Sequence, residues 1–379
     1  MYHLTVQQYL VSRLPWMLDD LCAFVEMDSP SNDKKTLDLF STYLERRFRE
    51  ELGCRTTIFP GSETGNHLRV SWGKGTERTL ILCHMDTVWP VGEAERRPFR
   101  VHDGRAYGPG VLDMKGGIVI GFHALKVLRD LGLHPCREVV VLLTSDEEVG
   151  SNSSKDLIES EAQASSAVLV LEPAVSPSGA LKTWRKGIGR FVLEVIGRAS
   201  HAGADPGSGV DAVQEISHQI TSLYHIGQDL PGVTVNVGIV EGGTRPNVVA
   251  AYAKAEIDVR IMTLAQGEKM LRRIRGLKPV NPQAEIRVTG DINRLPMERS
   301  PGTVFLYQKA RSLAKTIGLD VLEDGSGGCS DGNITSVLGV PTLDGLGAVG
   351  GGGHSLDEYV LIDKLPERAA LLVLMLLSP

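Results

Sequence analysis

Histidine and carboxylate side chains recur in this chain at points where apolar runs give way to glycine, proline or charge. His84 and Asp86 close the run Leu80-Ile81-Leu82-Cys83, and Asp113 ends the glycine-rich turn Gly108-Pro109-Gly110-Val111-Leu112. Glu147 and Glu148 are adjacent, Glu172 follows Leu171 and precedes Pro173, and His354 follows a run of glycines. Such strand ends are where an open α/β sheet presents its ligands. One imidazole at each end of the set with carboxylates between them is a two-zinc pattern.

Strand geometry sharpens the roles. Residues i and i+2 of a strand share a face, so His84 can ligate a metal while Asp86 reaches the same site from behind it as an orienter. A metal-bound imidazole commonly donates its other ring N–H to such a carboxylate. Asp113, on a turn whose glycines let the backbone approach closely, is the bridging candidate. Glu147 and Glu148 must point in different directions, one towards metal and the other towards the attacking water, as ligand and general base. Glu172 and His354 each complete a three-ligand set around a shared Asp113, leaving an open position for water or substrate.

The elements that must position these residues alternate strand, loop and helix. Amphipathic helices are expected over 5–27 and 34–51, the second capped by Asp33 and ended by Gly53. Strands are expected at 68–72, 79–83, 139–143 and 167–171, with a helix over 117–131. This is an α/β pattern, a mixed sheet flanked by helices. After the Pro, Ser and Gly stretch at 174–179 the order changes to strand 191–196, helix 210–226, strands 233–240 and 251–261, a helix near 265–275 and a strand at 284–288. An α+β sandwich inserted over 179–290 is expected, splitting the first domain into 1–178 and 291–379. The first domain then resumes with helices near 302–317 and 363–377.

Composition excludes several classes. At 379 residues and 42% hydrophobic content the chain can fill two cores, and a formal charge of -6 with interspersed signs offers no basic stripe for nucleic acid. The amino terminus lacks a signal peptide's basic and apolar regions and no apolar stretch reaches the roughly 18 residues of a membrane span, so a cytoplasmic location is expected. Five cysteines, an odd number without a Cys-x-x-Cys pair, argue for free thiols rather than disulfides or a thiolate zinc site. Neither a dinucleotide fingerprint, a Walker A stretch nor His-Glu-x-x-His is present.

Taken in order, His-Met-Asp-Thr-Val at 84–88, Tyr-Gly-Pro-Gly-x-x-Asp-x-Lys-Gly-Gly at 107–117, Asp-Glu-Glu at 146–148, Glu-Pro at 172–173, Ser-His-Ala-Gly at 200–203 and Gly-His-Ser at 353–355 resemble the zinc aminoacylase and carboxypeptidase superfamily across nearly the whole chain. Glutamate carboxypeptidase is the member it most resembles. The resemblance implies the di-zinc exopeptidase fold, with His84, Asp113 and Glu172 on one zinc, Asp113, Glu148 and His354 on the other, and Glu147 as general base. Cobalt or manganese are possible substitutes. It further implies a homodimer built by the inserted domain, with His201 polarising the scissile carbonyl across the interface and Asn247 and Arg260 binding the substrate carboxylate. Glu172, where di- and tripeptidases of the family tend to carry Asp, favours carboxypeptidases and deacylases. Closure about 176–186 and Gly290 would complete the site. Arg185 and Lys186 are further cations, and Gly-Gly-Cys329-Ser330-Asp331 departs from the commoner Gly-Gly-Thr-Asp.

The expected activity is that of a carboxypeptidase like glutamate carboxypeptidase, hydrolysing a C-terminal peptide bond or the amide of an N-acyl amino acid. Glutamate or aspartate conjugates are the first expectation, with a deacylase of the acetylornithine deacetylase or desuccinylase type as the alternative. A remote rival is a serine hydrolase, because Gly328-Cys329-Ser330-Asp331-Gly332 matches a nucleophile elbow and Asp344 and His354 follow it in order. That elbow needs a strand running into its serine, whereas 323–328 reads as a glycine-rich loop.

Overall fold

The computed structural model describes residues 2–378 and divides into two compact units. The first comprises Met1–Trp184, Arg299–Ser326 and Ser330–Pro379; the second comprises Arg185–Glu298 and Gly327–Cys329.

The first unit is built on a six-stranded mixed sheet whose order is Arg55–Phe59, His67–Trp72, Glu138–Thr144, Arg78–His84, Ala167–Val170, Thr342–Leu343. The first two pairings, that of Arg55–Phe59 with His67–Trp72 and that of His67–Trp72 with Glu138–Thr144, are antiparallel, and the remaining three are parallel. The central strands are apolar throughout because both faces are covered. Ile81, Cys83, Val139, Val141 and Leu143 pack into one core with the long helices, while Leu80, Leu82, Val140 and Leu142 pack with Ile158 and Ala162 on the other face. Register is the consequence that matters: His84 pairs with Thr144 and Leu82 with Val170, so three parallel strands end side by side.

Asp33 caps the helix Lys34–Leu52 by accepting the Thr36 N–H at 2.9 Å, and Gly53 ends it at φ 66°. The first expected helix is two helices, Tyr2–Ser12 and Leu14–Val25, because Pro15 at the start of the second cannot supply an interior N–H. A small four-stranded sheet formed by Arg100–His102, Arg105–Tyr107, Gly350–Gly351 and Tyr359–Leu361 carries the turn bearing His354.

The second unit is an antiparallel sheet in the order Thr234–Gly242, Tyr252–Ile261, Gly187–Ile196, Glu285–Arg294, with helices Ala212–Gln228 and Leu264–Arg275 packed on its apolar face. Burial alternates along Gly187–Ile196 and Tyr252–Ile261, as a half-covered sheet requires. It starts at Arg185 instead of 179, because Leu181–Arg185 pairs with Glu323–Ser326 in a separate ribbon. It extends to Glu298 instead of 290 because its last strand continues to Arg294. Gly290 is therefore no hinge loop. It pairs with Phe191 inside that strand at φ 111°, and a Cβ there would lie 2.1 Å from the Arg190 carbonyl oxygen.

Gly117, at the start of the buried helix Gly116–Asp130, lies against the strand end that leads into Glu172. A Cβ on it would sit 2.1 Å from the Leu171 carbonyl oxygen. Gly117→Ala is therefore expected to destabilise the protein by about 1–3 kcal/mol, the usual range for overpacking. Urea denaturation measures this, and an unchanged midpoint would show that helix and strand end can move apart.

Candidate metal centre

His84, Glu147, Glu148 and Glu172 are brought together because each lies at or just beyond the carboxyl end of one of three adjacent parallel strands. Asp113 arrives from the irregular turn before Gly116–Asp130, and His354 from the turn after Gly350–Gly351 at φ 62°. His84 Nε2 lies 3.2 Å from Asp113 Oδ1 and 3.3 Å from Glu172 Oε1. His354 Nε2 lies 3.4 Å from Asp113 Oδ2 and 3.2 Å from Glu148 Oε2. Each triad, His84 with Asp113 and Glu172 and Asp113 with Glu148 and His354, has ligand atoms within 4.8 Å of one another. The two sets share Asp113 through different oxygens.

This donor set fits two divalent ions. Three carboxylates against two imidazoles leave excess negative charge, and nitrogen with carboxylate oxygen is what zinc and its first-row neighbours take. His84 Nδ1 is held to a carbonyl oxygen, that of Asp86, at 2.9 Å, so this nitrogen donates and the Nε2 lone pair faces Asp113 and Glu172. Here the structure corrects the expected role of Asp86: its carboxylate is farther from Nδ1, at 3.6 Å. Fully buried, that carboxylate instead accepts the N–H groups of Glu147 at 3.2 Å and Glu148 at 3.1 Å and the Ser31 hydroxyl at 2.7 Å. Asp86 thus fixes the turn on which both glutamates ride.

Glu147 lines a hollow with His84, Met114, Glu172 and Asp331 but belongs to neither triad. Burial pushes its carboxyl well above the usual range, with Glu172, Asp331 and Glu148 acting in the same direction and His84 against them. Burial also raises Glu148, against its hydrogen bond to His354. Burial would raise Asp113 too, but hydrogen bonds from His354 and His84 hold it well below the ordinary carboxylate range. Hydrogen bonds to Asp113 and Glu148 raise His354 to about 10.

In the second unit His201 and Asn247 lie together, with the Ala202 N–H donating to the Asn247 carbonyl at 3.0 Å. His201 Nδ1 accepts the N–H groups of Gly203 at 3.1 Å and Ala204 at 3.0 Å, so a neutral ring carries its proton on exposed Nε2. Arg260 is not beside them. Tyr252 pairs with Ile196 at one end of the sheet and Arg260 with Ile188 towards the other, roughly 27 Å of strand at about 3.4 Å per residue. The Arg260 fork is engaged by Asp258, Nε at 2.7 Å and Nη2 at 3.2 Å, while Nη1 donates to the Gly327 carbonyl at 3.3 Å. Buried Arg185 holds the same loop through the Gly328 and Cys329 carbonyls at 3.3 and 3.1 Å. Burial, then the neighbouring Arg260 charge, lowers the pKa of Lys186.

Ser330 is not a nucleophile on an elbow. Its fully buried hydroxyl donates to Asp344 at 2.6 Å and accepts the Gly332 N–H at 3.0 Å as the N-cap of helix Asp331–Val337. His354, the base that reading requires, is turned to Glu148 and Asp113. Residues 323–326, expected as loop, form a short strand.

The fold and the two donor sets define a class, an α/β protein in which two His-and-carboxylate triads that share Asp113 would hold a dinuclear metal centre. The chain belongs to peptidase family M20/M25/M40, whose model matches residues 80–378. It is 33% identical over 300 residues to carboxypeptidase G2 of Pseudomonas sp. (strain RS-16), covering 78% of this chain and 72% of that protein. It is 27% identical to acetylornithine deacetylase of Shigella sonnei over 74% of this chain and 77% of that protein. A dinuclear metal-binding peptidase of the M20 family from Bacillus subtilis shares the fold, with a TM-score of 0.73, 15% identity and coverage of 97% of this chain and 98% of that one. The protein is thus a metallopeptidase of this family. Among the described residues no helix is long and apolar enough to cross a membrane.

The shared aspartate makes metal content unequal among variants. The wild-type chain is expected to bind two ions, His354→Ala one, and Asp113→Ala neither at full occupancy, as measured by elemental analysis after gel filtration. Equal metal in Asp113→Ala and His354→Ala would contradict the bridge.

Proposed function

We propose that the chain is a zinc carboxypeptidase that releases a C-terminal acidic amino acid from small peptides or N-acyl conjugates. The observation that carries the mechanism is the placement of Glu147, which faces the hollow of His84 and Glu172 yet joins neither donor set. His84, Asp113 and Glu172 would hold one zinc and Asp113, Glu148 and His354 the other. Bound there, the ions supply an acidified water and polarise the scissile carbonyl. Glu147 takes the proton of that water through its carboxylate and returns it to the leaving nitrogen. Asp86 keeps Glu147 and Glu148 on their separate tasks through their backbone N–H groups.

The acidic leaving group is supported by the neighbouring cations Lys186 and Arg260, the latter holding a carboxylate, that of Asp258, through two N–H groups as it would hold that of a substrate. Likeness to carboxypeptidase G2 supports release of a C-terminal residue, whereas likeness to acetylornithine deacetylase supports deacylation of an N-acyl amino acid as the second reading.

A homodimer belongs to the same proposal. Strand Thr234–Gly242 is the last in its sheet and exposes Ile239 and Val240, beside exposed Val213 and Tyr224 on helix Ala212–Gln228. An open, apolar edge invites a second copy. The separation of His201 and Asn247 from Arg260 supports a site assembled from two chains, with the His201 Nε2–H of one donating to the scissile carbonyl held by the other.

Glu147→Ala is expected to keep both metal ions and lose about 10²–10⁴-fold in kcat, the range for a general base, on a panel of N-acyl and peptidyl glutamates and aspartates. Loss of an ion in that variant would make Glu147 a ligand. Mixing inactive His201→Ala with inactive Glu147→Ala and allowing subunits to exchange should restore activity; verified heterodimers without activity would refute the shared site.

A further inference from the structure

The turn that carries Asp113 is gripped by a residue outside both donor sets. Glu358, only 1% exposed, accepts the backbone N–H groups of Leu112 at 2.8 Å and Asp113 at 3.0 Å on Oε1. Its Oε2 accepts the Gly110 N–H and the Trp89 indole N–H at 3.0 and 3.1 Å. Four N–H dipoles thus converge on one buried carboxylate, and three of them come from the segment that ends in the bridging ligand. A carboxylate so solvated is rigidly placed, because moving it would strand several buried donors together.

Glu358 also ends the turn that carries His354. The Glu358 N–H donates to the Ser355 carbonyl at 3.2 Å and the Ser355 N–H to the Gly352 carbonyl at 2.9 Å, a compact arrangement through which His354 is displayed. Arg97 braces this turn from outside, donating to the Leu356 carbonyl at 3.0 Å while its guanidinium lies over the Trp89 ring, 4.1 Å from the centroid. Asp113 and His354 come from segments far apart in sequence, and Glu358 ties one directly to the other. The other triad depends on strand register for His84 and Glu172 and needs this clamp only for Asp113.

We infer that Glu358 is a positioning residue that sets the spacing between Asp113 and His354, and so governs the affinity of the ion held by Asp113, Glu148 and His354 more than that of its neighbour. The inference rests on the two-ion reading of the site. Glutamine at this position has the same shape but one acceptor oxygen, and its NH2 group would face N–H donors it cannot satisfy. Residues that orient metal ligands typically contribute 10–100-fold to affinity.

The test is stepwise titration of chelator-treated protein with cobalt(II), followed by its visible spectrum, together with thermal unfolding of each variant. Wild type should bind two cobalt ions. Glu358→Gln should bind the first within a fewfold of wild type and the second at least about tenfold more weakly, with an altered spectrum for that ion. Trp89→Phe, which removes one of the four donors and leaves Glu358 in place, should weaken the same ion to a smaller degree, and it decides the matter if Glu358→Gln does not fold. Wild-type affinity for both ions in Glu358→Gln, or, if only Trp89→Phe folds, in Trp89→Phe, overturns the inference. So does equal weakening of the two ions. A wild-type chain that takes up only one cobalt ion would instead overturn the two-ion reading beneath it.

Discussion

Asp113, Glu147, Glu148 and Glu172 crowd around two imidazoles at the carboxyl ends of the central strands, and like charges held close in a poorly hydrated hollow repel strongly. Much of the first unit answers that constraint. Each imidazole lies between two carboxylates, and the carboxylates behind the site are solvated by fixed backbone N–H groups, as Asp86 is by Glu147 and Glu148 and Glu358 is by Gly110, Leu112 and Asp113. Fixed dipoles need no rearrangement when charge moves during a reaction, which is the kind of preorganisation a hydrolytic site requires.

Residues whose position follows from an apolar run could be read from the sequence alone. His84 and Glu172 end strands that are apolar because both sheet faces are covered, and parallel register then places them together. Asp113 stood out through the glycines that shape its turn. Asp86 and Glu358 were legible poorly or not at all, because what they bind is backbone N–H, which leaves no mark on residue type. Asp86 stood in the expected place with a different task. Glu358, four residues beyond His354, carries nothing in the sequence that separates it from a surface acid, and its burial among four N–H donors is visible only in the fold.

The second unit divides in the same way. Its alternating strands were evident, and the extension of the last one to Arg294 was missed because an exposed edge carries little apolar signal. That Arg260 lies at the opposite end of the sheet from His201 and Asn247 follows from strand register, which residue types on the half-covered sheet did not specify. Ser330 shows the converse hazard: a five-residue pattern matched a nucleophile elbow, while the hydroxyl itself is committed to capping a helix and to Asp344.

Two ions bridged by Asp113 are the centre of this account. Crystals grown with zinc and measured at the zinc absorption edge would test it most directly through anomalous difference density. Two peaks are predicted on opposite oxygens of Asp113, one against His84 and Glu172 and the other against Glu148 and His354, with Glu147 touching neither ion. A single peak, or a peak coordinated by Glu147, would contradict it.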